Sequence, residues 1–138
     1  MTNDMLQADV VVGARNGSEY FVEDRWVEDE RILPTYDTVQ NLQNTMVIVE
    51  NGKTMMSFRR AIITGDDNQD LNLDQCVYLL WGWGGNVSDY TTPAMFDEHK
   101  KDGVFPNQLC LQQCSGAVNV VVSLASLFIT MILLAFII

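Results

Sequence analysis

The chain offers few side chains that could do catalytic chemistry. It contains one histidine, His99, and lacks an ordered Ser/His/Asp set, a CxxC motif and a glycine-rich phosphate loop. A single histidine is too few for a copper centre of the monooxygenase type. We therefore expect a protein that is not an enzyme and has no catalytic residues.

An acidic segment (TGDDNQDLNLD) imitates the start of a calcium-binding loop through Asp66, Asn68 and Asp70. Leu71 stands where such a loop requires glycine, and Val77 stands where it requires the closing glutamate. We interpret the segment as a solvated acidic turn and predict no metal site.

Three cysteines and two glycosylation sequons are informative about the cellular compartment in which the domain lies. Cys76 lies in the apolar run CVYLLWGW and is expected to be buried, whereas Cys110 and Cys114 immediately precede the apolar tail. Three free thiols are one interpretation; the other, which we favour, is that Cys110 or Cys114 pairs with a cysteine upstream of this sequence. The sequons begin at Asn16 and Asn86, each close to glycine.

The tail from Gly116 to Ile138 contains no charged residue. At about 1.5 Å per residue, a helix of this length just spans roughly 30 Å of hydrocarbon. Three arrangements remain open: a retained transmembrane helix, a processed glycolipid-anchor signal, and a tail anchor with the domain in the cytosol. Residues 1–17 lack the features of a signal peptide.

The charge of the chain argues against nucleic acid as a partner. It has 18 acidic and 8 basic residues and a formal net charge of −10, which repels phosphate. The basic pairs are too isolated to form a binding stripe.

The elements before the tail have the periodicity of strands. Residues 8–13 (ADVVVG), 19–27 (EYFVEDRWV) and 76–81 (CVYLLW) are rich in β-branched and aromatic residues. Residues 46–50 and 54–63 flank Asn51-Gly52, which predicts a hairpin with a type I′ turn. The pattern indicates an all-β sandwich, although strands that would cover its edge are missing.

The sequence resembles the DOMON family in six blocks that occur in the same order. The similar blocks are Met5-Leu6-Gln7-Ala8-Asp9-Val10-Val11-Val12-Gly13, Val22-Glu23-Asp24-Arg25, Pro34 with Asp37–Gln40, Phe58-Arg59-Arg60 with Thr64-Gly65-Asp66, Leu80-Trp81-Gly82-Trp83-Gly84, and His99 with Gly103. The resemblance implies an immunoglobulin-like β-sandwich over residues 1–108, corresponding to the C-terminal two thirds of such a domain. A Cys-containing linker (109–115) and one C-terminal hydrophobic helix or anchor signal (116–138) would follow, in a chain truncated at its N-terminus.

The resemblance also implies a cofactor. In the haem-binding branch of the family a Met and a His hold b-type haem, and the matching positions here are Met5 and His99. Six-coordinate iron favours electron transfer over oxygen activation. The expected apolar walls are Val10, Val12, Met56, Trp81, Trp83 and Phe96. Lys100 and Asp102 depart from the family's pattern around the histidine.

Two functions follow from these expectations. In the first, a membrane-tethered extracellular module binds haem b and transfers electrons. In the second, the module recognises sugar, matrix or another extracellular protein and has no redox role. Both place the domain at the cell surface or in the lumen of the secretory pathway.

Overall fold

A computed structural model describes residues 5–29, 32–89, 93–111, 122–125 and 132–137, and the regular elements of these residues are β-strands. In chain order they are β1 (Asp9–Asn16), β2 (Glu19–Trp26), β3 (Thr35–Tyr36), β4 (Gln43–Glu50), β5 (Lys53–Arg59), β6 (Cys76–Val77), β7 (Leu79–Trp83), β8 (Val87–Asp89), β9 (Met95–Phe96), β10 (Lys101–Val104), β11 (Leu109–Cys110), β12 (Val122–Ala125) and β13 (Ile132–Ile137).

Two sheets form the layers of a β-sandwich. The larger has the strand order β10-β7-β13-β1-β2-β3, and the smaller has the order β12-β5-β4. Val11 of β1 packs against Val47 of β4 and Met56 of β5 between the layers. A Cβ atom added to Gly13 would lie 2.5 Å from the Met56 sulfur, so the layers approach closely at this glycine. The expected all-β sandwich is confirmed.

The predicted hairpin is also confirmed. Strands β4 and β5 pair with Glu50 opposite Lys53, and Asn51 and Gly52 both have positive φ angles, of 52° and 72°. This is the geometry of a type I′ turn, for which Asn-Gly is the favoured pair. Local turn chemistry therefore determines both the position and the register of this hairpin.

The segment around Cys76 differs from the expectation. The run predicted as a single buried strand is divided into β6 and β7, and Cys76 is exposed. Cys76 forms a disulfide with Cys110, which lies opposite it in the β6–β11 pair. The expected burial of Cys76 is wrong, and Cys110 does not pair with a cysteine that precedes this sequence, because the strand pairing brings Cys76 and Cys110 together. The same alternative for Cys114 is not tested, since Cys114 lies outside the described residues. Residues 109–110, expected in a linker, form β11.

The described parts of the apolar tail are strands. Strand β13 lies between β1 and β7, with Leu134 opposite Val12 on one side and Gly82 on the other. Strand β12 pairs with β5 in the second sheet. A run of β-branched and other apolar residues suits a buried strand as well as a helix, so periodicity alone does not distinguish them. In the described residues there is no helix long and apolar enough to cross a membrane.

Candidate functional site

Strands β1 and β2 present two faces with different chemistry. Successive residues of a strand point to opposite faces, so Glu23 and Arg25 share one face and Asp24 lies on the other. Asp24 is opposite Val11 in the ladder, which places Asp9, two residues along β1, on the same face as Asp24. We call the side of Glu23 and Arg25 the ion-pair face, and the side of Asp9 and Asp24 the aspartate face.

Four buried aspartates meet on the aspartate face. Carboxylate oxygens of Asp9, Asp24 and Asp70 all lie within 4.8 Å of one another. Asp9 and Asp24 are 0% exposed and Asp70 is 6% exposed. Asp37, immediately after β3, is also 0% exposed, and its backbone NH donates to the Asp24 carbonyl at 3.1 Å. We call these four residues the aspartate cluster.

Gln40 holds the turn that contains Asp37 against β2. The Asp24 backbone NH donates to Gln40 Oε1 at 2.9 Å, and Gln40 Nε2 donates to the Asp24 carbonyl at 2.8 Å and to the Asp37 carbonyl at 3.2 Å. A side-chain amide both donates and accepts, so one residue can continue the strand ladder here. The clamp fixes Asp37 next to Asp24.

Asp70 reaches the cluster because Asp66 closes a turn before it. The Asn68 and Gln69 backbone NH groups donate to Asp66 Oδ1 at 3.1 and 3.2 Å, as aspartate side chains often do in turns. Asp70 then points inward, where Asn41 Nδ2 donates to its Oδ2. The prediction of a solvated turn is therefore wrong for Asp70, although Asn68 is exposed as expected.

Arg60 supplies positive charge to the aspartate cluster. Its Nη1 donates to Asp9 Oδ2, and its Nη2 lies 3.0 Å from Asp70 Oδ1 and donates to the Leu71 carbonyl at 3.0 Å. The Leu71 backbone NH donates to Asp9 Oδ2 at 2.9 Å. Asp9 and Asp70 thus each use one carboxylate oxygen to pair with the Arg60 guanidinium.

The remaining oxygens of the cluster lack partners. Asp9 Oδ1, both carboxylate oxygens of Asp24 and both of Asp37 are buried and accept no hydrogen bond. The Asn41 backbone NH lies near enough to Asp24 to lower its pKa, but it does not meet the geometry of a hydrogen bond. Buried polar atoms in folded proteins are normally paired, so these oxygens require an explanation.

The pKa values of the cluster carboxyls reflect this burial. Burial raises the pKa of Asp9 to about 6, although the Arg60 charge opposes the rise. Burial and then the Asp9 charge raise the pKa of Asp24 to about 7. Burial, followed by the charges of Asp24, Asp9 and Asp70, raises the pKa of Asp37 to about 8. One arginine does not neutralise four buried carboxylates.

The ion-pair face, by contrast, is fully paired. Arg25 Nε and Nη2 both donate to Glu23 Oε2, at 3.0 and 2.6 Å, and Arg25 Nη1 donates to the Pro34 carbonyl at 2.8 Å. The Ala94 backbone NH donates to Glu23 Oε1 at 2.8 Å, and Arg25 Nη2 donates to the Ala94 carbonyl. The guanidinium also lies 4.9 Å from the centre of the Phe96 ring. These bonds hold residues 94–96 over this face.

The wall residues expected around a haem do not form one surface in the structure. Met5 is partly buried against the cluster that contains Leu80, and His99 Nε2 lies 3.6 Å from Asp102 Oδ1. The expected wall residues Val10, Val12 and Phe96 belong to the same cluster as Leu80, whereas Met56 belongs to the core between the sheets. Trp81 and Trp83 alternate with Leu80 along β7 and so face the other way.

Of the modification sites expected from sequence, Asn86 is exposed, and its Nδ2 donates to Asp97 Oδ2 at 3.1 Å. Asn16 ends β1 at the turn that contains Gly17. Cys114 lies outside the described residues.

A comparison with protein-family profiles matches residues 1–84 to the DOMON domain, which is more than half of the chain. The chain belongs to the DOMON family. No curated protein and no solved structure matches the sequence.

The packing on the ion-pair face bears on whether a haem fits beside Met5. Met5 borders the cluster that contains Val10 and Leu80, so a haem bound by Met5 would need open space beside these residues. In the structure Ala94 and Phe96 pack against these residues, and the Glu23–Arg25 pair holds them there. The residues present do not fit a haem in this arrangement.

The aspartate cluster of this DOMON domain was missed from sequence. In the sequence, Asp9 and Asp24 are recognisable only as parts of DOMON motifs, and Asp70 belongs to the segment that predicts a solvated turn. One signal was available: Asp9 directly precedes the apolar run Val10–Val12, and Asp24 lies inside a segment whose aromatic and β-branched residues predict a strand. Aspartate is rarely fully buried without a partner, so its presence inside such strands indicates a special role.

Proposed function

We propose that this DOMON domain is a non-catalytic, non-redox binding module that works on the extracellular or lumenal side of a membrane. The disulfide between Cys76 and Cys110 carries the proposal, because disulfides form and persist in oxidising compartments. The exposed Asn86 at the start of a sequon supports the same location.

Among the partners expected from sequence we favour a protein, because the smaller sheet has an outer strand that can accept another strand. Strand β4 is the outer strand of its sheet among the described strands, and it exposes Met46 (43%) and Val49 (50%). An eight-residue edge with apolar side chains can accept a strand from another protein. We assign β4 as the surface that binds this partner.

The location is tested with the full-length chain directed to the secretory pathway of cultured cells. We expect Cys76 and Cys110 to react with maleimide only after reduction, and Asn86 to carry a glycan that a glycosidase removes. Cys114→Ser is the control for thiol labelling and Asn86→Gln the control for the glycan. Reactive Cys76 and Cys110 in the folded, unreduced protein would contradict the proposal.

Attachment to a membrane through residues 116–138 is the second part of the proposal, supported by the absence of charge in this segment. It requires β13 to leave the sheet, so that the sandwich and the membrane compete for residues 132–137. Proline at Leu134 removes a ladder hydrogen bond from a central strand, whereas membrane helices tolerate proline.

We expect the full chain and Leu134→Pro to remain in the membrane pellet after alkaline carbonate extraction. Leu134→Val keeps the backbone NH and is the matched control. Release of the unmodified chain into the supernatant would contradict attachment.

A further inference from the structure

The aspartate cluster has the composition of a hard-cation site. Its side-chain ligand atoms are all carboxylate oxygens, contributed by β1, β2, the turn after β3 and the loop before β6. Ca²⁺ takes six to eight oxygen ligands, while zinc and copper prefer nitrogen or sulfur. His99 and the Cys76–Cys110 disulfide lie elsewhere in the chain and take no part.

The charge within the cluster is unbalanced. The guanidinium of Arg60 contacts Asp9 and Asp70, and both contacts are buried. Arg25 is on the opposite face and is engaged by Glu23. Burying a carboxylate without a partner is costly, so the cluster requires either bound protons or a further positive charge.

The positions of the unpaired oxygens show where that charge would lie. Asp24 is fully buried, and neither of its oxygens has a partner. Asp9 offers its Oδ1, because its Oδ2 is occupied by Arg60 and Leu71. Asp37 provides an independent observation, because it is not one of the three aspartates whose oxygens lie within 4.8 Å of one another. It is fully buried next to Asp24, and both of its carboxylate oxygens lack hydrogen-bond partners.

We propose that Asp9, Asp24, Asp37 and Asp70 bind one Ca²⁺ ion in the interior of the sandwich. Asp24 and Asp37 supply the unpaired carboxylates, Asp9 contributes Oδ1, and Asp70 completes the set next to Arg60. Because these four residues belong to elements far apart in sequence, the ion joins β1 and β2 to the loops that follow β3 and β5. Binding therefore stabilises the folded domain.

The test uses the full-length chain after treatment with EDTA and dialysis. Calorimetric titration with CaCl₂ should show saturable binding near one ion per chain, and thermal unfolding should move to higher temperature as CaCl₂ is added. Equal titration with MgCl₂ should give a weaker response, because Mg²⁺ requires a tighter octahedron and gives up its water reluctantly.

Matched variants localise the site. Asp24→Asn keeps the shape of the side chain and removes its charge, and should weaken Ca²⁺ affinity at least ~10-fold, equivalent to about 1.4 kcal/mol. Asp67→Asn removes an exposed charge from the same acidic loop and should bind Ca²⁺ like the unmodified chain. Asp37→Asn serves as a second cluster variant if Asp24→Asn folds poorly.

Three results would overturn the proposal: no heat and no thermal shift at millimolar CaCl₂, equal responses to CaCl₂ and MgCl₂, or an undiminished Ca²⁺ response in both cluster variants. The disulfide and glycan measurements do not depend on this site, so failure here leaves the proposed location and binding role standing.

Discussion

The two faces of the β1–β2 hairpin bury charge in opposite ways. On the ion-pair face, both oxygens of Glu23 accept hydrogen bonds and the Arg25 guanidinium is held at several points. On the aspartate face, both oxygens of Asp24 lack partners. Adjacent residues of one strand thus occupy a completed network and an incomplete one. The completed network explains how the fold is held, and the incomplete one indicates a ligand.

Breaking the completed network should have the largest effect on stability. Arg25→Ala leaves Glu23 buried without its cation, and losing one partner of a buried ion pair costs about 3–5 kcal/mol. Urea unfolding would measure the loss, with the exposed Arg59→Ala as control. A loss for Arg25→Ala no greater than that of the control would show that this face is not structurally important.

The aspartate face should make the metal-free protein less stable as pH rises. The folded-state pKa values of Asp9, Asp24 and Asp37 are raised from 3.8 to about 6, 7 and 8. Their contribution to stability is complete below pH 3.8 and is lost as pH rises through the folded-state values.

The free energy of unfolding, measured by urea titration in EDTA, should therefore fall by about 2 kcal/mol or more between pH 4 and pH 8, and the urea midpoint should fall with it. Added Ca²⁺ should oppose the fall, because it binds the deprotonated carboxylates. A midpoint in EDTA that stays constant across this range would show that the aspartate face is already neutralised within the protein.

Removing charge from the aspartate face should stabilise the metal-free protein. The change in the free energy of unfolding should therefore be opposite in sign to that caused by Arg25→Ala. Asp24→Asn in EDTA at pH 8 should raise the free energy of unfolding by about 1–3 kcal/mol, because an amide needs less solvation than a carboxylate. The exposed Asp67→Asn should change it by less than about 0.5 kcal/mol. Destabilisation by Asp24→Asn would remove the contrast between the faces.

The smallest effect is expected for haem. Because residues 94–96 cover the ion-pair face, haem added to the folded full-length chain should give no Soret band of bound haem. Met5→Ala and His99→Ala should then leave the spectrum unchanged. A Soret band that shifts on reduction and is lost in both variants would show that the ion-pair face opens, and would restore the redox function.

Local signals predicted the local structure well. Asn51-Gly52 determined the β4–β5 hairpin and its register, because this turn needs only two residues with positive φ. The strands near Asp9 and Glu19 were also found, with ends that differ by a few residues. The tail was ambiguous because an apolar run of this kind suits either a helix or a central strand, and the choice depends on its partners.

The aspartate cluster could not be predicted from spacing. Asp9 and Asp70 meet only after the chain has passed through both sheets, and the loop motif around Asp70 lacks the glycine of a known calcium loop. The disulfide was missed for a related reason, since the pairing of β6 with β11 determines which cysteine Cys76 meets. Long-range contacts of this kind are properties of the fold.

The most direct test of the aspartate face is a crystal structure of the full-length chain grown with CaCl₂ and measured for anomalous scattering. We predict one anomalous peak within the aspartate cluster, about 2.3–2.6 Å from oxygens of Asp9 and Asp24. A structure without a peak, in which these carboxyls are bonded only to one another, to water or to Arg60, would contradict the central claim.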